Sequence, residues 1–373
     1  MKIGIACYPT YGGSGVVATE LGKALAAKGH EIHFITYQIP VRLSSLTDNI
    51  FYHEVSPSTY PLFDYSPYEL VLASKIVDVV KHEELDVLHV HYAIPHASAA
   101  FMAREILKKQ GIEIPFVTTL HGTDITLVGK DPSFEPVITF SINESDAVTA
   151  VSESLKLDTY KNFNVDREID VVPNFICPSK YDNDGPCQRS VFAESNQKIV
   201  THVSNFRKVK RVQDVIEAFA KISEEVDAKL LLVGEGPEKN SIEQHSRNLG
   251  VDDKVRYLGK IRDVEQVLCL SDLFILPSES ESFGLAALEA MAAGVPVISS
   301  NTGGLPEVNI DNLTGFTTNV GDIDDMVINS VKLLKNEELL NKFKIQAKEH
   351  SKNFEINVVL PIYEDIYRRV LKS

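Results

Sequence analysis

The sequence predicts an α/β protein made of two doubly wound, Rossmann-like domains in tandem. Three observations predict it. Short apolar runs alternate with longer amphipathic ones along residues 1–172. The alternation lapses around 172–198, where Pro173, Pro178, Asn183, Gly185 and Pro186 fall in a polar stretch. It then restarts and runs towards the end of the chain. Strand-helix alternation implies a mostly parallel sheet with helices on both faces, and the lapse reads as a linker between two such sheets.

Each element follows from its own pattern. Ile3–Cys7 reads as a buried strand, and Val16–Lys28 as a helix with apolar positions at Val16, Leu21, Ala24 and Leu25. Strand-like runs follow at Glu31–Thr36, Val87–Val90, Phe116–Leu120 and Ala147–Val151, separated in part by the helical stretches Glu69–Val80 and Ala97–Lys109. In the second half the strands are Lys198–Val203, Lys229–Val233, Val255–Leu258, Leu273–Leu276 and Val295–Ser299. The helices there are Val212–Ile222, Leu285–Ala293 and Met326–Leu334. A last helical region from Asn336 to Lys372 carries Pro361 near its middle, where a break or kink is expected. The expected domains are 1–172 and 198–353 about a linker 173–197, with a last helix of about 354–373. Paired sheets of this kind place a ligand in a cleft at the carboxyl ends of their strands.

Composition narrows the function classes. The formal charge is -15, with 37 Lys+Arg against 52 Asp+Glu, which disfavours nucleic acid as the main partner. Residues 1–172 carry 13 Lys+Arg and 22 Asp+Glu, a balance of -9 that speaks against an anionic membrane. No run of about 18 apolar residues marks a membrane span, and the N-terminus lacks a signal-peptide pattern. The expected setting is cytoplasmic. Cys7, Cys177, Cys187 and Cys269 show no metal-ligand spacing and read as four reduced thiols.

Four motifs carry chemistry. Gly12-Gly13-Ser14-Gly15 lies between the first strand and helix, where glycines admit a close ligand and a helix N-terminus offers free N–H groups. It does not match G-x-G-x-x-G, so no dinucleotide fingerprint is read. Thr118-Thr119-Leu120-His121-Gly122-Thr123-Asp124 ends a strand, and His91-Tyr92 ends its neighbour. A histidine there can hydrogen-bond a sugar hydroxyl. Arg207-Lys208-Val209-Lys210-Arg211 places four cations within five residues after a strand, able to neutralise a departing diphosphate. The run from Glu279 to Glu289 holds a loop glutamate, Glu281, and a second, Glu289, about two turns into the following helix. One carboxylate suits sugar hydroxyls and the other a ribose diol. The free N–H groups of Phe283, Gly284 and Leu285 suit phosphate oxygens.

These strings resemble a known family. E-S-F-G-L-x-x-L-E-A-M-x-x-G-x-P-V, G-G-L-P-E and L-L-L-V-G-E-G-P are similar to the retaining glycosyltransferases of family 4, which include sucrose synthase and bacterial mannosyltransferases and share the GT-B architecture. The resemblance runs over nearly the whole chain. It implies two Rossmann-like domains facing a cleft, with the final helix crossing back onto the first domain. It implies His121, Arg207, Lys210 and Glu281 as catalytic residues. It places the nucleotide sugar on Gly12, Gly13, Asn205, Lys210, Gly234, Ile261, Ser282, Phe283, Gly284, Leu285 and Glu289. The chain departs from the pattern at Ser204-Asn205, where many relatives have Gly-Arg. Lys210 keeps the lysine place, and the arginine sits two residues late at Arg207.

Further strings, among them C-Y-P-T-Y-G-G-S-G-V-V-A-T-E-L-G, L-H-V-H-Y-A-I-P-H-A and H-V-S-N-F-R-x-V-K-R, resemble the branch of that family acting in bacillithiol biosynthesis. That likeness implies UDP-N-acetylglucosamine as donor and L-malate as acceptor. Ser14, Tyr92, Thr119 and Arg207 are the expected acceptor contacts. The expected chemistry is transfer with retention and without a metal or cofactor, UDP leaving on the face that the acceptor attacks. Asp124 is the nearest carboxylate for a double displacement, which is not the favoured route. Three alternatives stay open: a family 4 enzyme with another acceptor such as a lipid, a UDP-N-acetylglucosamine 2-epimerase, and a non-catalytic sugar-nucleotide sensor. A homo-oligomer is compatible with each.

Overall fold

The computed structural model describes residues 1–372 apart from 11, 44–47, 57–66, 128, 130 and 182–187. The chain forms two compact units: Met1–Asn174 with Ile356–Ser373, and Phe175–Glu355.

The first unit is built on a seven-stranded parallel sheet. Its strands are β1 (Lys2–Ala6), β2 (Glu31–Thr36), β3 (Ile50–Glu54), β4 (Val87–His91), β5 (Phe116–Leu120), β6 (Ala147–Ala150) and β7 (Ile169–Val171). Their order is β3-β2-β1-β4-β5-β6-β7. The chain winds outward in both directions from β1 and β4, so the loops after these two strands diverge and leave a crevice at their carboxyl ends. Alternation along each strand sorts the faces. Ile35, Leu88 and Val90 pack with Ile76, Val80 and Ala100 from the helices Tyr68–Glu83 and Ser98–Lys108. His89 and His91 alternate onto the opposite face, where the helix Ile356–Val370 lies.

The second unit repeats the plan with β8 (Lys198–Val203), β9 (Ala228–Val233), β10 (Val255–Gly259), β11 (Leu273–Leu276), β12 (Val297–Ser300) and β13 (Gly315–Thr318), in the order β10-β9-β8-β11-β12-β13. The helix Val212–Glu225 shows why it docks there. Val212, Val215, Ile216, Phe219 and Ile222 recur at three- and four-residue spacing and are all buried in one cluster with β8 and β9. Truncating Phe219 to Ala should cost about 3–5 kcal/mol.

Several expectations change. Residues 175–197 are not a free linker but part of the second unit. Arg189 fastens this stretch by donating to the carbonyls of Leu270 (2.5 Å) and Gln197 (2.6 Å) and to Asp272 (2.5 Å). The final helical region breaks at Lys352–Glu355, where Glu355 turns extended at ψ 146°, and not at Pro361, which sits inside the helix Ile356–Val370. Strands β3, β7 and β13 carried no clear run. The last opens on Gly315, where an added Cβ would stand 1.7 Å from the Val297 carbonyl, so close strand approach excludes a side chain. Cys7 and Cys177 are thiols outside any disulfide, and burial pushes the Cys7 thiol up to about 12. Cys269 is disulfide-bonded, against the expectation of four thiols, and Cys187 lies outside the described residues.

Candidate active site

In the first unit the chemistry gathers at the carboxyl ends of β1, β4 and β5. The helix Gly13–Ala27 starts directly on the loop after β1. A Cβ on Gly15 would meet the carbonyls of Tyr8 at 2.4 Å and Thr10 at 2.6 Å, so only glycine lets the helix begin there. Gly12 and Gly13 are exposed, the first turn carries no acidic residue, and no side chain caps it. Its first-turn N–H groups suit an anion, with no carboxylate in that turn to compete.

Tyr92 follows β4 in a left-handed conformation at φ 87°, a costly state for a bulky residue that over-determined surroundings sustain. Its N–H donates to the Thr119 carbonyl (2.9 Å), and its hydroxyl donates to Ser14 Oγ (2.7 Å). Burial pushes its phenol up to about 12, against the pull of the Ser14 bond, so Tyr92 stays a neutral donor. Ser14 and Tyr92 are thus brought together as expected.

His121 lies beyond β5 and is half-buried. Its Nε2 is 2.8 Å from His91 Nδ1, and the two rings stack at 5.1 Å. His91 in turn stacks on His89 at 4.5 Å. Burial first, then neighbouring histidines, lowers all three: His89 and His121 to about 3, and His91 well below its ordinary value. The trio is neutral at any physiological pH, so His121 offers a hydrogen bond rather than a charge.

One expectation fails here for a packing reason. Thr119 is fully buried, and its hydroxyl is held at 2.7 Å by both His89 Nε2 and Thr149 Oγ1. It supports the histidine ladder and cannot reach an acceptor. Asp124 is no free nucleophile. Its Oδ1 accepts from the Gly122 N–H (3.1 Å) and its Oδ2 from the Ala93 N–H (2.9 Å). Burial raises its carboxyl to about 6 while these amide bonds hold it down. Asp124 clamps the loop after β5 to the loop after β4, a role that no local motif announced.

In the second unit the site grows from the loops after β8 to β12. Gly234, at φ 133°, lies so close to the Ser204 carbonyl that a Cβ would be 1.8 Å from it. The loops after β8 and β9 are thereby locked together, with the Phe206 N–H donating to the Glu235 carbonyl. Phe206 is buried, and Asn205 and Arg207 on either side of it are exposed. Lys210 Nζ donates to Glu281 Oε2 at 2.5 Å, joined there by Ser278 Oγ at 3.3 Å. The two residues expected to act on diphosphate and sugar are therefore each other's partners. The Glu279 N–H donates to the Val209 carbonyl (2.8 Å), which fixes the two loops in register.

The helix Leu285–Ala292 starts after Gly284 at φ 97°. Ser282 and Leu285 are half-buried, Phe283 is buried, and Glu289 is 8% exposed within the helix. Behind them stand Gly303 and Gly304. An added Cβ would come within 2.0 Å of the Glu281 carbonyl at one and 2.4 Å of the Ser282 carbonyl at the other. These glycines mould the loop that presents Glu281, which explains the G-G-L-P-E string. Ile261, on the loop after β10, is half-buried. Arg207, exposed after β8, and the N-terminus of the helix Leu285–Ala292 are groups suited to a pyrophosphate. Among the described residues the one grouping of metal-ligating side chains lies elsewhere, on β2, β3 and the end of the helix Tyr68–Glu83.

No helix among the described residues is long and apolar enough to cross a membrane. Residues 11–180 match the glycosyltransferase family 4 model, and residues 188–350 match glycosyl transferases group 1. The chain is 50% identical, over all of its length and 98% of the relative's, to the N-acetyl-alpha-D-glucosaminyl L-malate synthase of Bacillus anthracis. Among solved structures, sucrose-phosphate synthase from Thermosynechococcus elongatus superposes with a TM-score of 0.83 at 19% identity, covering 100% of this chain and 99% of that one. HepE of Anabaena in complex with UDP-glucose superposes with a TM-score of 0.81 at 20% identity, covering 98% and 99%. The two sheets are those of the GT-B fold.

Proposed function

The chain belongs to glycosyltransferase family 4, and from that premise we propose that it transfers N-acetylglucosamine from UDP-N-acetylglucosamine to the hydroxyl of L-malate, the first step of bacillithiol biosynthesis. The observation that carries the proposal is identity of 50% along the entire chain to a relative named for that activity. The match spans the strand-end loops of both units.

The residues divide the work chemically. In the second unit Glu289 takes the ribose hydroxyls, the amides at Phe283–Leu285 take phosphate oxygens, and Glu281 takes the sugar. Arg207 and Lys210 meet the charge that develops on UDP as the glycosidic bond breaks. In the first unit His121 donates to the sugar, and Ser14 and Tyr92 meet the acceptor. Configuration is retained by attack on the face that UDP leaves, its phosphate accepting the malate proton. The engagement of Asp124 by backbone amides supports this route over a covalent intermediate. Lysine and arginine supply the counter-charge, so the transfer step draws on no metal.

The test is mass spectrometry of products formed from UDP-N-acetylglucosamine with malate, other hydroxy acids, glycerol and myo-inositol 1-phosphate, with and without EDTA. A malate conjugate formed in EDTA is the expected result. A 2-epimer formed without acceptor, or preference for a neutral polyol or lipid, overturns the assignment.

A further inference from the structure

We propose that the first unit carries a zinc-class metal site on the sheet face opposite the histidine ladder, formed by His33, His53 and Glu83. The strands place them. His33 is in the middle of β2, and His53 is on the edge strand β3, where it stands beside Ile35. Glu83 ends the helix Tyr68–Glu83. His33 shares its face with Ile35, which packs with Leu88 and Val90 and so away from His89 and His91. One ring nitrogen of each histidine and a carboxylate oxygen of Glu83 all lie within 4.8 Å of one another. The facing pair is His33 Nδ1 and His53 Nε2, 3.0 Å apart.

The surroundings are those of a ligand set and not only of a hydrogen bond. His33 is fully buried, and its Nε2 is 3.0 Å from Glu31 Oε1. An ionised carboxylate can only accept, so this contact puts the His33 proton on Nε2 and leaves a bare lone pair on Nδ1, aimed at His53. A carboxylate holding the remote nitrogen of a histidine is the usual second contact of a metal-bound imidazole. Lys2 holds the framework: its Nζ donates to the Glu83 carbonyl (2.8 Å) and lies 3.7 Å from Glu31. Two ligand atoms on a tetrahedral zinc ion stand about 3.3 Å apart. The histidine pair needs to open by a few tenths of an ångström, and the half-buried Glu83 carboxylate to swing in. Two imidazoles and one carboxylate suit Zn²⁺ and the neighbouring Co²⁺ and Ni²⁺, not Mg²⁺ or Ca²⁺, which take oxygen ligands. The ion would tie the edge strand β3 to a helix end, a structural clip remote from the strand ends where transfer takes place.

The test titrates zinc chloride into chelator-treated full-length protein by calorimetry, and cobalt chloride while visible absorption is followed. Saturable binding of one equivalent, cobalt bands of a four-coordinate site, and a zinc-induced rise in melting temperature are expected. His53→Ala and Glu83→Gln should each weaken binding at least tenfold and abolish the rise. Glu31→Gln should weaken it about 10–100-fold through His33. His245→Ala, which alters the His245–Glu217 pair of the second unit, should leave binding unchanged. Circular dichroism identifies a variant that fails to fold, and Glu83→Gln, at a helix end, is the variant least exposed to that failure. Absence of saturable binding, or binding as tight in folded Glu83→Gln and His53→Ala as in the parent, overturns the proposal.

Discussion

His91 Nδ1 lies 2.8 Å from His121 Nε2, and this single contact fixes where the proton of His121 sits. His91 Nε2 is buried and has no partner among the described residues. An orphaned buried N–H is rarer and costlier than an orphaned lone pair. The proton of His91 is therefore assigned to Nδ1, which donates to His121 Nε2. Neutral His121 then carries its own proton on Nδ1, a donor for a sugar hydroxyl. His121→Ala should cripple transfer and leave UDP affinity nearly intact. His91→Leu should keep UDP affinity while lowering kcat/KM by the equivalent of about 1–3 kcal/mol. Steady-state kinetics beside UDP calorimetry decide it. Unchanged kinetics in either variant would reduce the pair to packing.

The lowered pKa values make a prediction about acid stability. The sign follows from proton uptake: below pH 6.5 an unfolded histidine binds a proton, while His89, held near 3, does not until far lower pH. Stability is thus unaffected above about pH 7 and lost as pH falls from 6.5 towards 3. Each such histidine contributes about 1.4 kcal/mol per pH unit in that window. Asp124, raised to about 6, works the other way between 6 and 4, because the folded state takes up its proton first. Urea unfolding of His89→Asn at pH 7 and pH 5 should show a pH slope shallower than the parent's by about that amount per unit. An equal slope would mean that His89 is charged in the fold.

Lys210 and Glu281 form one unit, so their substitutions should not add. Lys210→Met leaves a half-buried carboxylate without its cation, and should lower kcat about 100-fold or more. Glu281→Gln should cost turnover more than UDP binding. The double variant should be little worse than Lys210→Met alone. Additive losses in a double-mutant cycle would show that the two act separately.

Glu289→Gln keeps size and removes a charged acceptor. UDP affinity measured by calorimetry should fall by about 1.5–3 kcal/mol. Unchanged affinity would move the nucleotide elsewhere.

Tyr92 and Thr119 should separate cleanly. Tyr92→Phe deletes the donor to Ser14 and should raise the KM for malate more than that for the sugar nucleotide. Thr119→Val takes the partner from His89 Nε2 and one of the partners from the Thr149 hydroxyl, and should lower stability by about 1–3 kcal/mol instead. A selective malate defect in Thr119→Val would return that residue to the acceptor contacts.

The difference between these two residues marks how far the sequence could be read. Alternating apolar runs gave β1, β2, β4, β5, β8, β9 and β11 nearly to the residue, because strands buried on both faces are apolar throughout. Edge strands such as β3, reading Ile-Phe-Tyr-His-Glu, lack that signature. The string around Glu281 stood out in part for packing reasons, since Gly303 and Gly304 are demanded by the carbonyls of Glu281 and Ser282. Thr119 looked like a ligand contact because it ends a strand, and its burial depends on Tyr363 and Tyr367, more than 240 positions further on. His91 carried no signal of its own: its role appears only once β4 and β5 lie side by side. The same holds for His33 and His53, whose meeting needs the pairing of β2 with β3.

The helix Ile356–Val370 belongs to the first unit although the 181 residues before it, Phe175–Glu355, belong to the second. Tyr367 donates to or accepts from His89 at 2.7 Å, and Arg369 is paired with Asp170. During synthesis the ribosome releases β1 to β7 long before the segment that seals their histidine-bearing face. Domains made first usually fold first. Here the second unit can be finished while the first still waits for its last helix, exposing a wet, polar sheet face. A released chain ending at residue 355 should therefore be cut by protease in its amino-terminal half and resist in its carboxy-terminal half, the reverse of the order of emergence.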